Sequence, residues 1–221
     1  MPGGLKKTIR RVSLALLFLA AGVAALLLAG QRPFAPGTFE FQQYRDFSGT
    51  LLAEPYPALL IPGQGLPWLL VGPGKHGAGD LRQLAGREVR LRGERIFRPG
   101  NQGADDHMIE MLPGSLSPVG AGDLAVAATG LGPMQLTGEI VDSKCYFGVM
   151  NPGNGKVHRD CAVRCISGGI PPAFLVRDAD GQTATVLLAN WKRELLNHIA
   201  EPVTLRGRLV RFAGRLTLYL E

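Results

Sequence analysis

Charge is scarce in this chain of 221 residues, and outside the N-terminus positive and negative residues nearly cancel. Charged residues make up 19% of the sequence, and the formal net charge is +6. Lys6, Lys7, Arg10 and Arg11 supply four of these charges, which leaves +2 for the other 210 residues. A nucleic-acid-binding protein needs a far stronger basic surface, so this class is excluded. The hydrophobic content of 46% also excludes an intrinsically disordered chain.

Only one apolar run is long enough to cross a membrane. The 18 residues from Val12 to Ala29 carry no charge and would extend about 27 Å as a helix, which just spans a bilayer core. The basic residues of segment 1–11 stand only before this run, which predicts a cytoplasmic N-terminus and an exported remainder. Two prolines in segment 31–38 indicate a linker after it.

The residues around a cleavage site favour an uncleaved signal anchor over a signal peptide. Cleavage after Gly30 would place Leu28 where a small residue is expected, and a lipobox cysteine is lacking. We therefore expect 12–30 to remain as a transmembrane anchor. A cleaved signal peptide is the alternative.

Two pairs of short matches indicate a diverged internal repeat. Phe47–Leu51 (FSGTL) resembles Leu136–Ile140 (LTGEI), and Val89–Gly93 (VRLRG) resembles Val203–Gly207 (VTLRG). The stretch between the two matching segments is about 25 residues longer in the second copy than in the first. The excess is assigned to an insert, 144–172, which holds all three cysteines.

Alternating apolar residues predict strands in both copies, and the chain is predicted to be mainly β. The second copy reads β-β-β-α-β-β, with a helix over 191–200 capped by Asn190. This order resembles the OB-fold, a five-stranded Greek-key barrel with its helix after the third strand. An immunoglobulin-like sandwich is the main alternative, but the helix position argues against it.

The predicted organisation is therefore two OB-like modules after the N-terminal helix. The first is assigned to 39–112, and the second to 134–221. A Gly-, Ala- and Pro-rich stretch, 113–133, is predicted to link them. The Cys/His insert falls between the first two strands of the second module, a loop that OB-folds often use for ligands.

The familiar cysteine patterns are absent, since the chain has no zinc-finger spacing, no C-x-x-C and no C-x-x-C-H. Lys156 to Ile166 lacks Pro and Gly and is predicted to be a helix that ends at Gly168-Gly169. One face of this helix carries an imidazole and two thiols, those of His158, Cys161 and Cys165. Cys145 arrives from the end of the preceding strand. The four residues are candidate ligands for a transition metal: zinc, copper or iron.

Other interpretations of the cysteines remain open. Cys145 could form a disulfide with Cys161 or Cys165, which the exported location would favour and which would leave a spare thiol. Cys161 and Cys165 could instead act as a redox pair, although their spacing suits an unstrained disulfide poorly. Alternatively, the cysteines are small core residues and His158 is merely hydrogen-bonded.

The insert also carries a resemblance. From Asp142 to Pro172 it reads DSKCYFGVMNPGNGKVHRDCAVRCISGGIPP, which resembles a signature of uncharacterised bacterial membrane-anchored, exported proteins. The resemblance covers 31 of the 221 residues and implies a bacterial, exported setting but no particular reaction. The anchor followed by an OB-like barrel is also similar to the periplasmic haem chaperone of cytochrome c maturation. That similarity concerns only the fold, because the His-x3-Tyr haem-binding pattern of that family is missing here.

These observations predict a single-pass protein of the bacterial inner membrane with its C-terminal region in the periplasm. We expect an accessory role in assembly or redox support, with a bound metal or cofactor, a protein partner and no nucleic acid. Catalysis is not favoured, because linear order reveals neither a Ser/His/Asp set nor paired carboxylates. The alternatives are a thiol-disulfide oxidoreductase that uses Cys161 and Cys165, or a disulfide-stabilised interaction module without catalysis.

Overall fold

The computed structural model describes residues 3–30, 37–100, 105–123, 127–177, 180 and 182–221. The chain divides into two compact units, Met1–Phe34 and Ala35–Glu221. The first unit contains the helix α1 (Gly3–Gly30), which is long and apolar enough to cross a membrane. All of its described residues from Gly4 onward are exposed. A membrane-spanning helix at the predicted position is therefore supported by length and composition.

The second unit begins with the short strand β1 (Thr38–Phe39) and continues into a five-stranded barrel. The barrel strands are β2 (Arg45–Leu52), β3 (Ala58–Leu60), β4 (Trp68–Val71), β5 (Arg87–Arg98) and β6 (Asp106–Met111). β2 pairs with β3, β3 with β4, β4 with β6 in parallel, β6 with β5, and β5 with β2, which closes the barrel. β1 and the following strand β7 (Ser117–Ala121) both add to β5.

A second closed barrel follows with the same connectivity. Its strands are β8 (Ala128–Asp142), β9 (Pro172–Arg177), β10 (Thr183–Ala189), β11 (Pro202–Phe212) and β12 (Arg215–Leu220). β8 pairs with β9, β9 with β10, β10 with β12 in parallel, β12 with β11, and β11 with β8. The one parallel pair joins the third and fifth strands in each barrel, as in an OB-like fold. The predicted fold class is confirmed.

The two barrels also correspond at individual residue positions. Gly49 lies opposite Val89 in the first barrel, and Gly138 lies opposite Val203 in the second. A Cβ atom on Gly49 would lie 2.4 Å from the carbonyl oxygen of Leu60, and one on Gly138 would lie 2.3 Å from that of Leu175. Both glycines permit the same close approach between neighbouring strands, which explains why this short match survives in both copies.

Two details differ from the sequence expectations. The predicted linker 113–133 contains β7 and the start of β8, because the backbone of Ser117–Ala121 pairs with β5. The helix expected over 191–200 is a 3₁₀ helix over Arg193–His198, and the side chain of Asn190 does not cap it. Asn190 adopts a left-handed conformation with φ of 56°, so the chain turns before the helix begins.

The core of the second unit extends across both barrels. One buried cluster contains Val71 and Ile96 of the first barrel, Leu187 of the second, and Phe147 of the insert between β8 and β9. Separate clusters fill the interior of each barrel. The insert is therefore packed between the barrels, and both lie in one compact unit. The module boundaries at 39–112 and 134–221 remain predictions.

Candidate metal centre

The insert connects the end of β8 to the start of β9 through three short helical elements. They are a π-helical turn over Cys145–Val149, a 3₁₀ helix over Lys156–His158, and the helix α2 (Arg159–Ser167). Gly168 caps α2, and its N–H donates to the carbonyl of Arg164 at 3.0 Å. The predicted helix and its glycine end are confirmed, except that the first turn is 3₁₀. The equivalent connection in the first barrel, 53–57, has no such elements.

The end of α2 docks directly on the loop that follows β4. A Cβ atom on Gly168 would lie 1.9 Å from the carbonyl oxygen of Lys75, so only glycine fits at this contact. The N–H of Gly77 donates to the carbonyl of Gly168 at 3.0 Å. Contact between the two backbones brings Lys75, a residue of the first barrel, to the cysteines of the second.

The three cysteines lie together but are not bonded. The Sγ atoms of Cys145 and Cys161 are 4.0 Å apart, whereas a disulfide requires about 2.05 Å. All three thiols are free; Cys145 and Cys165 are buried, and Cys161 is half-buried. The disulfide alternative is therefore not seen in the structure.

Lys75 places its ammonium group beside two of the thiols. Its Nζ lies 2.8 Å from the Sγ of Cys161 and 3.5 Å from the Sγ of Cys165. The hydrogen bond to Cys161 raises the pKa of Lys75, and the charges of the two thiolates add to this effect. The ammonium group therefore stays protonated, and its charge favours the thiolate form of Cys165.

The pKa values of the two buried thiols, Cys145 and Cys165, are shifted in opposite directions. The pKa of Cys165 is lowered, first because the Cys145 thiol donates a hydrogen bond to it and further because Lys75 lies close by. The pKa of Cys145 is raised by the same hydrogen bond, by burial and by the negative charge of Asp142. These opposite shifts favour the thiolate at Cys165 over the thiolate at Cys145.

Asp142 organises the other side of the cluster. Its side chain is fully buried, and Oδ1 accepts a hydrogen bond from the N–H of Cys145 at 2.8 Å. Oδ2 lies 2.9 Å from Nε2 of His158, which is also buried. One carboxylate thus fixes both the turn that carries Cys145 and the orientation of the imidazole.

A second lysine secures the loop that carries Lys75. Lys144 is almost completely buried and forms an ion pair with Glu110 of β6. Its Nζ also donates to the carbonyls of Gly72 at 3.0 Å and Gly74 at 2.6 Å. The residue before Cys145 therefore binds the loop on which Lys75 lies, and this contact holds the insert against the first barrel.

The predicted ligands, together with Asp142, fall into two overlapping groups of donor atoms. Cys145, His158 and Cys161 form one group, and Asp142, Cys145 and Cys165 form the other; within each group the donors lie within 4.8 Å of one another. The structure thus brings all four predicted residues to one buried region, with Cys145 common to both groups. Cys165 is not in the group that contains His158.

Sequence reasoning missed Asp142 and Lys75. Asp142 stands three residues before Cys145, a spacing at which Asp often accepts a backbone hydrogen bond, so a local signal was present. No sequence signal links Lys75 to the cysteines, because 86 positions separate it from Cys161.

Comparison with protein-family models, with curated proteins and with solved structures finds no match. The function must therefore be inferred from the site itself.

Proposed function

We propose that this protein is a membrane-anchored accessory protein that binds a transition-metal ion at Cys145, His158, Cys161 and Cys165. The separation of the Cys145 and Cys161 sulfurs, 4.0 Å, carries the proposal. Two thiolates on a tetrahedral zinc ion with bonds of 2.3 Å lie about 3.8 Å apart. The observed separation is close to this value and far from that of a disulfide.

The donor set selects the class of metal. Thiolate and imidazole ligands favour zinc, copper or iron over magnesium or calcium, which prefer oxygen. Three thiolates and one divalent ion leave one negative charge, and the ammonium group of Lys75 lies beside these sulfurs. A closed set of four protein ligands is typical of a structural or storage site, and zinc in such a site needs no redox partner. Zinc is therefore the first metal to test.

The hydrogen bonds around the ligands support this assignment. Because Nε2 of His158 is paired with Asp142, Nδ1 is the nitrogen available to a metal. A carboxylate that accepts from the distal nitrogen is a common partner of metal-binding histidines. Lys75 then donates to the sulfurs rather than competing for the ion.

The cellular setting is part of the proposal. The helix α1 would anchor the chain in a bacterial inner membrane, with the basic residues of 1–11 in the cytoplasm and the barrels in the periplasm. The resemblance of the segment from Asp142 to Pro172 to exported bacterial proteins supports this location. An accessory role in metal handling or assembly with a protein partner fits a site with no assigned catalytic group.

Metal analysis of the full chain tests the proposal. The protein is purified in detergent without chelator, and its zinc, copper and iron contents are measured together with its melting temperature. Cys145→Ser, His158→Ala, Cys161→Ser and Cys165→Ser should each lower the metal content and the melting temperature together. Asp160→Asn, an exposed change on α2, is the matched control and should alter neither. A chain that is metal-free as isolated and does not bind added zinc would overturn the proposal.

A second candidate function is thiol-disulfide exchange. The stabilised thiolate at Cys165, the ammonium group of Lys75 and the nearby thiol of Cys145 favour it. A thiolate would attack a substrate disulfide, and a second cysteine would displace the product, which leaves one disulfide in this protein and two thiols in the substrate. In this case the protein would be metal-free as isolated and would exchange with a model disulfide, and His158→Ala would have little effect on its stability.

A further inference from the structure

The exposed aromatic side chains of the second unit lie in a single turn. Among the described residues of that unit, Phe41 is 63% exposed and Tyr44 is 44% exposed, and every other aromatic side chain is buried or half-buried. Both belong to the turn between β1 and β2, residues 40–44, which we call the aromatic turn. Their grouping differs from the single, scattered apolar residues of an ordinary protein surface.

Hydrogen bonds to β5 give the aromatic turn a fixed shape. The N–H of Glu40 donates to the carbonyl of Arg95 at 2.9 Å. The N–H of Gln42 donates to Oε1 of Glu94, a buried side chain, at 2.6 Å. The backbone on both sides of Phe41 is therefore held by the first barrel, and the exposed ring lies at a defined place on its surface.

The aromatic turn is also close along the chain to the end of α1. Gly37, the first described residue of the second unit, packs against the insert, since a Cβ atom on it would lie 2.5 Å from the carbonyl oxygen of Phe147. Gly37 stands seven positions after Gly30, the last residue of α1, so the connection spans at most about 25 Å. Phe41 follows four positions later, at most about 15 Å further on. The covalent chain therefore holds the aromatic turn near the membrane in which α1 would lie.

The side chains of the aromatic turn suit the boundary between a bilayer and water. Aromatic rings are enriched at this depth, and tyrosine keeps its hydroxyl group hydrated while its ring contacts apolar groups. The guanidinium of Arg92, an exposed residue, lies 5.8 Å from the centre of the Tyr44 ring. Arginine is common at the same depth, because its stem contacts lipid while its charge stays in water.

We propose that the aromatic turn docks on the periplasmic surface of the bilayer that α1 spans. The ring of Phe41 would lie among the upper acyl carbons, and the ring of Tyr44 would lie at the level of the lipid headgroups. Docking gives the second unit a further point of attachment besides the connection to α1. The inference rests on the proposed membrane location of α1, but not on the metal centre, because no residue of 40–44 belongs to either group of metal donors.

Tryptophan fluorescence of the full chain in lipid vesicles tests the proposal. Phe41→Trp and Tyr44→Trp each add one tryptophan to the two of the unaltered chain, Trp68 and Trp191. Each protein is reconstituted into phosphatidylcholine vesicles with and without bromine on the acyl chains, and the signal of the unaltered chain is subtracted. Because bromine quenches tryptophan on contact, bromination should remove about half of the added fluorescence of Phe41→Trp and less of that of Tyr44→Trp.

Met134→Trp is the matched control. Met134 lies on β8 and is 42% exposed, close to the exposure of Tyr44, so it presents a comparable ring elsewhere on the second unit. Bromination should leave its added fluorescence unchanged. Melting temperatures in detergent close to that of the unaltered chain confirm that each variant is folded, and the two probes of the aromatic turn serve as checks on each other.

Equal quenching of Phe41→Trp and Met134→Trp, or no quenching of Phe41→Trp, overturns the proposal. Blue-shifted emission of Phe41→Trp without quenching also overturns it, and assigns the aromatic turn to a contact with protein, either a partner or a second copy of the chain. Flotation of the vesicles separates this result from the fate of the anchor. A chain that does not float with the vesicles overturns both, whereas a chain that floats with an unquenched Phe41→Trp retains the anchor and overturns only the docking.

Discussion

The ammonium group of Lys75 lies 2.8 Å from the sulfur of Cys161, although the two residues belong to different barrels. Neither barrel alone contains the complete site. The cysteines come from the insert of the second barrel, and their cation comes from the loop after β4 of the first. The chemistry of the thiols therefore depends on the contact between the barrels.

The first prediction concerns Lys75→Met. Lys75 contributes to the lowered pKa of Cys165, so its removal should raise that pKa and reduce the thiolate fraction at neutral pH. In metal-free protein, a pH titration of the ultraviolet thiolate absorbance should show a higher midpoint than in the unaltered chain. Lys156→Met removes an exposed lysine of the same insert and serves as the control. Equal midpoints in both variants would contradict the assigned role of Lys75.

The second prediction concerns Asp142→Asn. An amide retains an oxygen for the N–H of Cys145 but cannot hold His158 in the same tautomer. Metal affinity should fall by about 10- to 100-fold, as found for such partners of metal-binding histidines. Competition with a chromophoric chelator measures the affinity. Asp160→Asn should bind metal like the unaltered chain, and if both variants do so, Asp142 has no part in metal binding.

The third prediction concerns Gly168→Ala. The added methyl group would meet the backbone of Lys75 at 1.9 Å, so either α2 or the loop must move. The free energy of unfolding should fall by about 2 to 3 kcal/mol, and metal content should fall with it. Gly130→Ala on the exposed part of β8 has open space around it and should cost less than about 0.5 kcal/mol. Denaturant unfolding of the full chain in detergent provides both values, and equal costs would show that the loop adapts freely.

The fourth prediction concerns acid stability. Burial of His107, together with the nearby positive charge of Arg95, lowers its pKa from 6.5 to about 4. As the pH falls from 6.5 to 4, His107 takes up a proton in the unfolded chain before it does so in the folded chain. The free energy of unfolding should therefore decrease across this pH range. The contribution is on the order of 2 to 3 kcal/mol.

His107→Phe isolates this contribution. Phenylalanine can retain the stacking of His107 on Trp68, whose ring centres are 4.2 Å apart, but it cannot take up a proton. The variant should lose less stability than the unaltered chain between pH 6.5 and 4. His198→Phe, at an exposed position, should follow the unaltered chain. The same acid loss in His107→Phe would assign the effect to other groups.

Strand periodicity and two short repeats were sufficient to predict both barrels. The match between Phe47–Leu51 and Leu136–Ile140 identified equivalent strands because a glycine is required at the same place in each. The helix after the third strand was predicted too long, since a left-handed residue such as Asn190 cannot be recognised from its neighbours. The pairing of Ser117–Ala121 with β5 was missed because a strand at a sheet edge needs little apolar pattern.

The site was predictable only where its residues are close in sequence. Helical spacing predicted one face for His158, Cys161 and Cys165; the donors of His158 and Cys161 do lie close together, whereas Cys165 belongs to the other group. Lys75 reaches the cysteines through a long-range contact between two backbones. Such a contact produces no periodic pattern in the sequence. The charge balance of the thiols could therefore be known only from the fold.

The contact between Gly168 and Lys75 also bears on the order in which the site is assembled. Translation proceeds from the N-terminus, so the loop that carries Lys75 emerges before any cysteine does. The cysteines reach Lys75 only after α2 has formed and its glycine end has docked on the first barrel. A chain that stops short, or whose barrels fail to pack, has thiols without their cation. The complete cluster thus requires the loop after β4 of the first barrel as well as the docked insert.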